Sequence, residues 1–155
     1  SAGAMAVSII MVGGVVFKLV LGALNDKIGV KYTGIIAASC GAIGILLAYI
    51  AGENVALFYA GMVVFGGGYA GLTVIAPMLA RAAFGSLNYP QIYSWVSTGI
   101  FIATAVSFLV YGMIYDTTGS FDLCFILVIG MYVLAVVLVP VTLAVSQKAW
   151  KRRGK

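Results

Sequence analysis

The stretch GALNDKIGVK, residues 22–31, interrupts an otherwise apolar sequence with one acidic and two basic side chains. Long apolar runs flank it, at residues 4–24 and 33–51. A helix needs about 20 apolar residues to cross the hydrocarbon core of a bilayer, and Gly29 permits a tight turn. The stretch therefore predicts a short loop between two antiparallel membrane helices.

The composition extends this interpretation to the whole chain. The 155 residues are 63% hydrophobic and 8% charged, with a mean hydropathy of +1.15, whereas soluble domains carry about a quarter charged residues. The absence of histidine excludes a histidine-based catalytic triad, metal site or proton relay. Cys40 and Cys124 lie apart in apolar runs and are interpreted as buried apolar residues. We expect an integral membrane protein with no catalytic residue, metal or cofactor, and hence no enzyme.

Charges and turn residues divide the chain into five apolar runs, at residues 4–24, 33–51, 55–79, 93–114 and 123–145. The connections are short, so consecutive runs should be antiparallel neighbours. The sequence predicts an all-α fold with a single membrane domain over residues 1–155. This domain is a polytopic bundle of five transmembrane helices, followed by a basic tail at residues 146–155. The odd number of spans suggests that the chain is part of a longer protein.

The placement of the cations predicts the orientation of the bundle. If the Asp26 loop is cytoplasmic, the cytoplasmic side receives Lys27, Lys31, Arg81, Lys148, Lys151, Arg152, Arg153 and Lys155. Glu53, Asp116 and Asp122 fall on the other side, with no basic residue. Cytoplasmic loops are rich in Lys and Arg, so we expect a cytoplasmic C-terminus in a plasma (bacterial inner) membrane. The net charge of +5 is then a signal of topology and does not indicate a nucleic-acid partner.

Three motifs resemble loops of the major facilitator superfamily. The first follows the pattern G-x-x-x-D-[RK]-x-G-x-[RK]-[RK] and fails only at Tyr32; its matching residues are Gly22, Asp26, Lys27, Gly29 and Lys31. The others are FG-x-x-N at residues 84–88 and Y-D-x-T-G-S-[YF] at residues 115–121. These two are similar to the signatures that flank helix eleven in that superfamily.

The resemblance implies that the chain is the C-terminal half of such a transporter without helix seven. It would contain helices eight to twelve of a six-helix domain. It is strongest to the oxalate/formate antiporter and monocarboxylate transporter group. It implies a secondary transporter that moves a small organic anion, a monocarboxylate, by alternating access. The implied partners are the missing N-terminal half of the same transporter and the lipid bilayer. The resemblance also implies that the motif at residues 22–31 is the conformational loop of the transporter.

Lys18 is the only ionised side chain inside a predicted span. It lies eight residues before Asp26, about 12 Å from the loop and near the bilayer midplane. It also shares a helix face with Gly14 and Gly22. A charge at this depth costs roughly 2.5–3.5 kcal/mol. Lys18 is therefore either a counter-charge for a substrate or a structural lysine bonded to backbone carbonyls of a neighbouring helix.

The resemblance favours the counter-charge. In monocarboxylate transporters a basic residue, usually Arg, stands four residues before the same glycine of helix eight and contacts the substrate carboxylate. Lys18 and Gly22 have this spacing. The lysine departs from the usual arginine, and a point charge orients a carboxylate less firmly than a guanidinium does.

A polar stripe runs along the fourth predicted span at spacings of 4, 3, 4, 3 and 4, through Tyr93, Ser97, Ile100, Thr104, Ser107 and Tyr111. Such a face either lines an aqueous cavity or packs against another helix, with its hydroxyls bonded to carbonyls of their own helix. The resemblance favours the cavity, because helix eleven lines it in the superfamily. In the oxalate-specific branch of the superfamily, a lysine stands at or beside the position of Ile100. The absence of that lysine here argues against a dianionic substrate held between two cations. The predicted substrate-binding residues are therefore Lys18, Tyr93, Ser97, Ile100 and Thr104.

Two other classes of function remain open. A non-transporting membrane scaffold or assembly subunit would tolerate Lys18→Met without consequence. An intramembrane enzyme would need Lys18 to act with Ser8 or Ser39, and no spacing supports either pair. The run GGGYAG, residues 66–71, satisfies G-x-G-x-x-G but lies inside an apolar span. It therefore predicts close helix packing and not a dinucleotide site.

Overall fold

The computed structural model describes residues 2–85 and 88–153, and the side-chain environments of residues 5–85 and 88–148. Four helices account for this part of the chain: α1 (Ala2–Ile50), α2 (Val55–Phe84), α3 (Tyr89–Thr118) and α4 (Asp122–Arg153). All four are long and apolar enough to cross a membrane. The all-α prediction is confirmed.

Helix α1 changes direction at Gly29, whose backbone (φ 81°, ψ 164°) is not helical. We call residues 2–28 its first arm and residues 30–50 its second arm. Ala6 and Ala48 belong to one apolar cluster, although a straight helix would separate them by about 63 Å. Leu21 and Ala37 meet in another cluster. The two arms therefore run antiparallel to each other.

Where the sequence predicted two helices separated by a loop, the structure has two helical arms that meet at Gly29. The difference lies at residues 22–31, which stay helical on both sides of Gly29 and do not open into a loop. A single residue is enough for the turn, because its φ and ψ lie in a region that is essentially restricted to glycine. The Thr33 hydroxyl, fully buried, donates a hydrogen bond to the Gly29 carbonyl oxygen at 3.0 Å.

The helices extend beyond the predicted membrane spans. Helix α2 continues to Phe84, α3 extends to Thr118, and α4 runs to Arg153 through most of the predicted tail. Gly85 and Gly119 end α2 and α3 with positive φ, and their amides donate to carbonyl oxygens of the preceding turn. Capping by glycine fixes these ends, so they lie beyond the edge of the apolar sequence.

Both arms of α1 pack on α2 through small residues. A methyl group at Gly66 would lie 2.9 Å from the Ile10 carbonyl oxygen in the first arm. One at Gly61 would lie 2.8 Å from the Ala48 amide nitrogen in the second arm. Such distances leave no space for a side chain, so backbone meets backbone. Within the GGGYAG run, Gly66 meets the first arm and Gly68 meets the backbone of Gly41 in the second arm, so its predicted close packing is confirmed on both sides of α2.

Helix α4 packs antiparallel to the second arm. The Tyr132 side chain lies over Gly41, and Val139 lies 3.1 Å from a methyl position at Gly34. Helix α3 is peripheral: none of its residues is buried, and no Cα atom in its described part lies within 8 Å of one in α1.

This packing places basic residues at one end of the bundle and most acidic residues at the other. Gly34 is close to Ile75 of α2 and Val139 of α4, so the turn at Gly29 lies beside the C-terminal ends of both helices. We call this the basic end; it carries Lys27, Lys31, Arg81 and Lys148. At the opposite end, Tyr49 contacts Phe125 and Tyr115 stacks on Phe121. Glu53, Asp116 and Asp122 lie there.

Candidate functional site

Lys18 lies on the first arm of α1 and is half-buried. One turn before it, a methyl group at Gly14 would contact both the Gly66 carbonyl oxygen and the Tyr69 ring, each at 3.7 Å. One turn after Lys18, a methyl group at Gly22 would have no neighbouring atom within 4 Å. The glycine face that carries Lys18 is thus packed against α2 at one end and open at the other.

The ammonium group of Lys18 makes no hydrogen bond or ion pair with the residues that the structure describes. A structural lysine in a membrane span would bond to carbonyl oxygens of the adjacent helix. Within residues 5–85 and 88–148, Lys18 has no such bond. The charge is therefore available to a group from outside this part of the chain.

The register between the first arm and α2 adds Tyr69 to this site. The two segments run parallel, because Phe17 lies against Gly67 and Leu21 meets Ala70. Lys18 is therefore level with the turn of α2 that carries Tyr69. The Tyr69 ring lies beside Gly14, which shares a face with Lys18. Tyr69 of α2 and Lys18 of the first arm therefore lie at a similar depth along two neighbouring helices.

Sequence reasoning missed Tyr69. A usable signal existed, because the alternation of spans makes the first and third predicted helices parallel, and both Lys18 and Tyr69 stand mid-span. Thr73, one turn further along α2, is exposed, and its hydroxyl donates to the Ala70 carbonyl oxygen at 3.0 Å.

The predicted polar stripe lies on α3. Thr104 is exposed, and the other five stripe residues are half-buried: Tyr93, Ser97, Ile100, Ser107 and Tyr111. The Thr104 hydroxyl donates to the Ile100 carbonyl oxygen and that of Ser107 to the Thr104 carbonyl oxygen, each at 2.8 Å. Tyr93 stacks on Tyr89 with ring centroids 5.6 Å apart. This local bonding is the pattern that the packing interpretation predicts.

The structure does not bring the two groups of predicted site residues together. Lys18 is on α1 and the stripe is on α3, and no Cα atoms of these helices approach within 8 Å in the described residues. A shallow apolar cavity of about 320 Å³ is lined by Val110, Met113, Ile114 and Thr117 of α3. It contains none of the predicted site residues.

The chain matches the family model of the Major Facilitator Superfamily over residues 1–154. The chain belongs to the major facilitator superfamily. No curated protein and no solved structure matches it.

Membership of the major facilitator superfamily makes the chain a membrane transporter and not an enzyme, as the sequence predicted. The four apolar helices agree with an integral membrane protein.

The loop motif of this major facilitator chain lies at the turn of α1. Asp26, Lys27 and Lys31 are exposed, and Gly29 supplies the change of direction. The Lys31 ammonium nitrogen lies 5.6 Å from the centroid of the Tyr32 ring. The Asn25 side-chain oxygen is buried without a hydrogen-bond partner in the described residues. The charged groups of the motif are therefore accessible to contacts outside this part of the chain, whereas the Asn25 oxygen is enclosed.

Proposed function

We propose that the chain forms the C-terminal part of a secondary transporter that moves a small organic anion, a monocarboxylate, by alternating access. The observation that carries this proposal is the half-buried Lys18 at mid-span, which has no partner among the described residues and is level with Tyr69 of the neighbouring helix. Ionisable residues inside a membrane are expensive and usually mark the path of a substrate or ion.

The proposal includes five membrane crossings, helices eight to twelve of the superfamily. Helix α1 has 49 residues, which corresponds to about 74 Å, more than twice the thickness of the hydrocarbon core. Each of its arms is long enough to cross once. In this assignment the basic end is cytoplasmic, because cytoplasmic loops carry the excess of Lys and Arg. The membrane is then a plasma (bacterial inner) membrane.

In this mechanism the Lys18 ammonium supplies the charge that neutralises the carboxylate, and the Tyr69 hydroxyl supplies a neutral hydrogen-bond donor. A single cation suits a monoanion. The stripe residues Tyr93, Ser97, Ile100 and Thr104 would line the far side of the cavity. The missing N-terminal half of the same transporter would complete the site, since substrates of such transporters bind between the two halves.

The test is uptake by the full-length transporter in proteoliposomes, with radiolabelled short-chain carboxylates as the substrate probes. Lys18→Gln should abolish saturable uptake, whereas Lys18→Arg should retain it because the positive charge remains. Lys148→Gln, which removes an exposed cation outside the loop motif, is the matched control and should retain saturable uptake. The amount of folded protein is measured by fluorescence-detected size exclusion. Carboxylate uptake by Lys18→Gln at the parent level would overturn the proposal.

One observation favours a non-transporting scaffold or assembly subunit as a second candidate. Helix α3 has no buried residue, so most of its surface is available to another membrane helix. Under this alternative Lys18→Met would leave the protein's role intact and the oligomeric state would carry the function. The same proteoliposomes separate the two candidates, because only the transporter loses activity with Lys18.

A further inference from the structure

Two polar groups are buried beside the turn of α1. Thr33 is the only buried polar residue in the part of the chain that the structure describes. The side-chain oxygen of Asn25 is buried as well, and it has no hydrogen-bond partner among the described residues. Native proteins contain few buried acceptors without a donor, because each one destabilises the fold. The unpaired oxygen of Asn25 therefore needs an explanation.

Asn25 and Thr33 occupy matching positions on the two arms. Asn25 stands four residues before Gly29 and Thr33 four residues after it. Each is one helical turn, about 6 Å, from the residue at which the chain reverses, so their Cα atoms are about 12 Å apart at most. One turn further along each arm, Leu21 and Ala37 belong to one buried cluster. Residues four apart share a face of a helix, so Asn25 and Thr33 continue the two buried faces that meet in this cluster.

The Thr33 hydroxyl is the donor that could reach the Asn25 oxygen. It now donates to the Gly29 carbonyl oxygen at 3.0 Å, and a hydroxyl has only one proton to donate. A carbonyl oxygen at the start of a helix also accepts from a backbone amide of the first turn. Gly29 can therefore lose the hydroxyl and keep a donor, whereas the Asn25 oxygen has none without it.

The end of the first arm has room to move toward the second arm. A methyl group at Gly22 or at Gly29 would meet no atom within 4 Å, and no residue from 22 to 28 is buried. Leu21, just before this segment, is only 2% exposed and stays in the core. A tilt of residues 22–28 therefore breaks few contacts, and Gly29 can absorb the change in its φ and ψ because glycine has no Cβ.

We propose that the Thr33 hydroxyl alternates between two acceptors, the Gly29 carbonyl oxygen and the Asn25 side-chain oxygen. The first bond is the one in this structure, and the second forms when residues 22–28 tilt toward the second arm. Asn25 and Thr33 thus act as a latch that holds the turn at one of two angles, and conditions that favour either bond shift the population between them. The latch lies within α1 and does not depend on the solute proposed above.

The experiment measures distances across the turn in the full-length protein in lipid nanodiscs, by double electron–electron resonance. Spin labels are attached at Ala23→Cys and Ile36→Cys, two exposed positions on opposite arms, in a background without other cysteines. The parent should show two distances, the shorter one with the latch closed. Thr33→Val, which keeps the shape and removes the hydroxyl, should shift the ratio about fivefold or more toward the longer distance, as expected for one buried hydrogen bond.

Three further variants separate the latch from a general loss of packing. Asn25→Leu should give the same shift as Thr33→Val without touching the Gly29 bond, and the double variant should add nothing, because both changes remove one bond. Thr33→Ser keeps the hydroxyl and should keep both distances. Thermal melts should show no loss of stability in Asn25→Leu, since the unpaired oxygen is gone.

Thr142→Val is the matched control. The Thr142 hydroxyl donates to a carbonyl oxygen one turn back in α4, as that of Thr33 does in α1, but it is exposed and far from the turn. Its loss should leave both distances unchanged. A single distance in the parent would overturn the proposal, as would an unchanged ratio in Asn25→Leu and Thr33→Val. Shifts that add in the double variant would also overturn it, because the two side chains would then act separately.

Discussion

Helices α2 and α3 have the same length, 30 residues each, but opposite places in the fold. Ten residues of α2 are buried, five of them glycines, whereas no residue of α3 is buried. Helix α3 instead exposes large side chains such as Trp95, Phe101 and Phe108, each more than 70% accessible. Both helices are apolar enough to cross a membrane.

The difference between the two helices shows what determines the centre of a membrane bundle. In lipid, apolar side chains gain little from leaving the solvent, so hydropathy does not select the central helix. Close approach between helix backbones selects the central helix, because it increases van der Waals contact. The glycines of α2 allow two antiparallel arms to approach on separate sides. The bulky side chains of α3 do not allow another helix to approach so closely on either side.

The most severe test of this comparison is Gly61→Leu in α2. A side chain there meets the backbone of Ala48 and Gly44, each 2.8 Å from its first carbon, and backbone cannot move aside. We expect a loss of about 3 kcal/mol or more, at or above the usual cost of overpacking. Thermal unfolding followed by fluorescence-detected size exclusion measures it.

The counterpart in α3 is Gly112→Leu, where nothing lies within 4 Å. Its stability should equal or exceed that of the parent, because leucine is the better helix former. Equal losses in the two variants would mean that glycine contacts do not distinguish α2 from α3.

A second test separates backbone conformation from packing, with Gly29→Ala. No atom lies within 4 Å of a methyl group at Gly29, so the cost arises from its positive φ alone. We expect about 1–3 kcal/mol, the usual cost of this backbone region for a residue with a side chain. Chemical denaturation in mixed micelles provides the measurement.

Gly22→Ala is the matched control for Gly29→Ala, since Gly22 is equally open but lies within the helix. It should be neutral or slightly stabilising. Gly119→Ala at the end of α3, where φ is 68°, should cost less than Gly29→Ala, because the peripheral α3 can adjust its position. A larger effect at Gly119 would contradict the peripheral role of α3.

The smallest expected effect compares two serine hydroxyls. The Ser146 hydroxyl joins α4 to α2 at Ala83, whereas the Ser107 hydroxyl donates to a carbonyl of its own helix α3. Ser146→Ala should cost about 0.6–1.5 kcal/mol, as for one hydrogen bond between helices. Ser107→Ala should change stability by less than about 0.5 kcal/mol. Parallel thermal melts in one detergent resolve the difference, and a reversed order would contradict the assignment of contacts.

Much of the fold followed from the sequence alone. Hydropathy gave the helical class and the antiparallel order of most elements, because backbone groups in lipid must be satisfied within helices. It could not give the ends of α2 and α3, which lie beyond the apolar runs and are determined by capping at the amides of Gly85 and Gly119. It also predicted a loop at residues 22–31, because charges there resemble those of an open turn, whereas Gly29 alone reverses the chain.

Only part of the candidate site could be predicted from the sequence. The depth of Lys18 and its glycine face depend on spacing along one helix, and spacing is visible in a sequence. The neighbour Tyr69 depends on which turn of α2 meets which turn of α1, and the glycine contacts that set this register involve residues some 50 positions apart. The surroundings of the α3 stripe depend on neighbours in space and could not be predicted from its period.

The joint contact of both arms with α2 has a consequence for biogenesis. Ala6 and Ala48 share their cluster with Met62, and Leu21 and Ala37 share theirs with Ala70. The ribosome therefore completes both arms of α1 before it makes the helix on which they settle. At about 5–20 residues per second, the rest of α2 follows within roughly 2 to 7 s. During that interval the charge on Lys18 is in the insertion machinery or the lipid without its native neighbours.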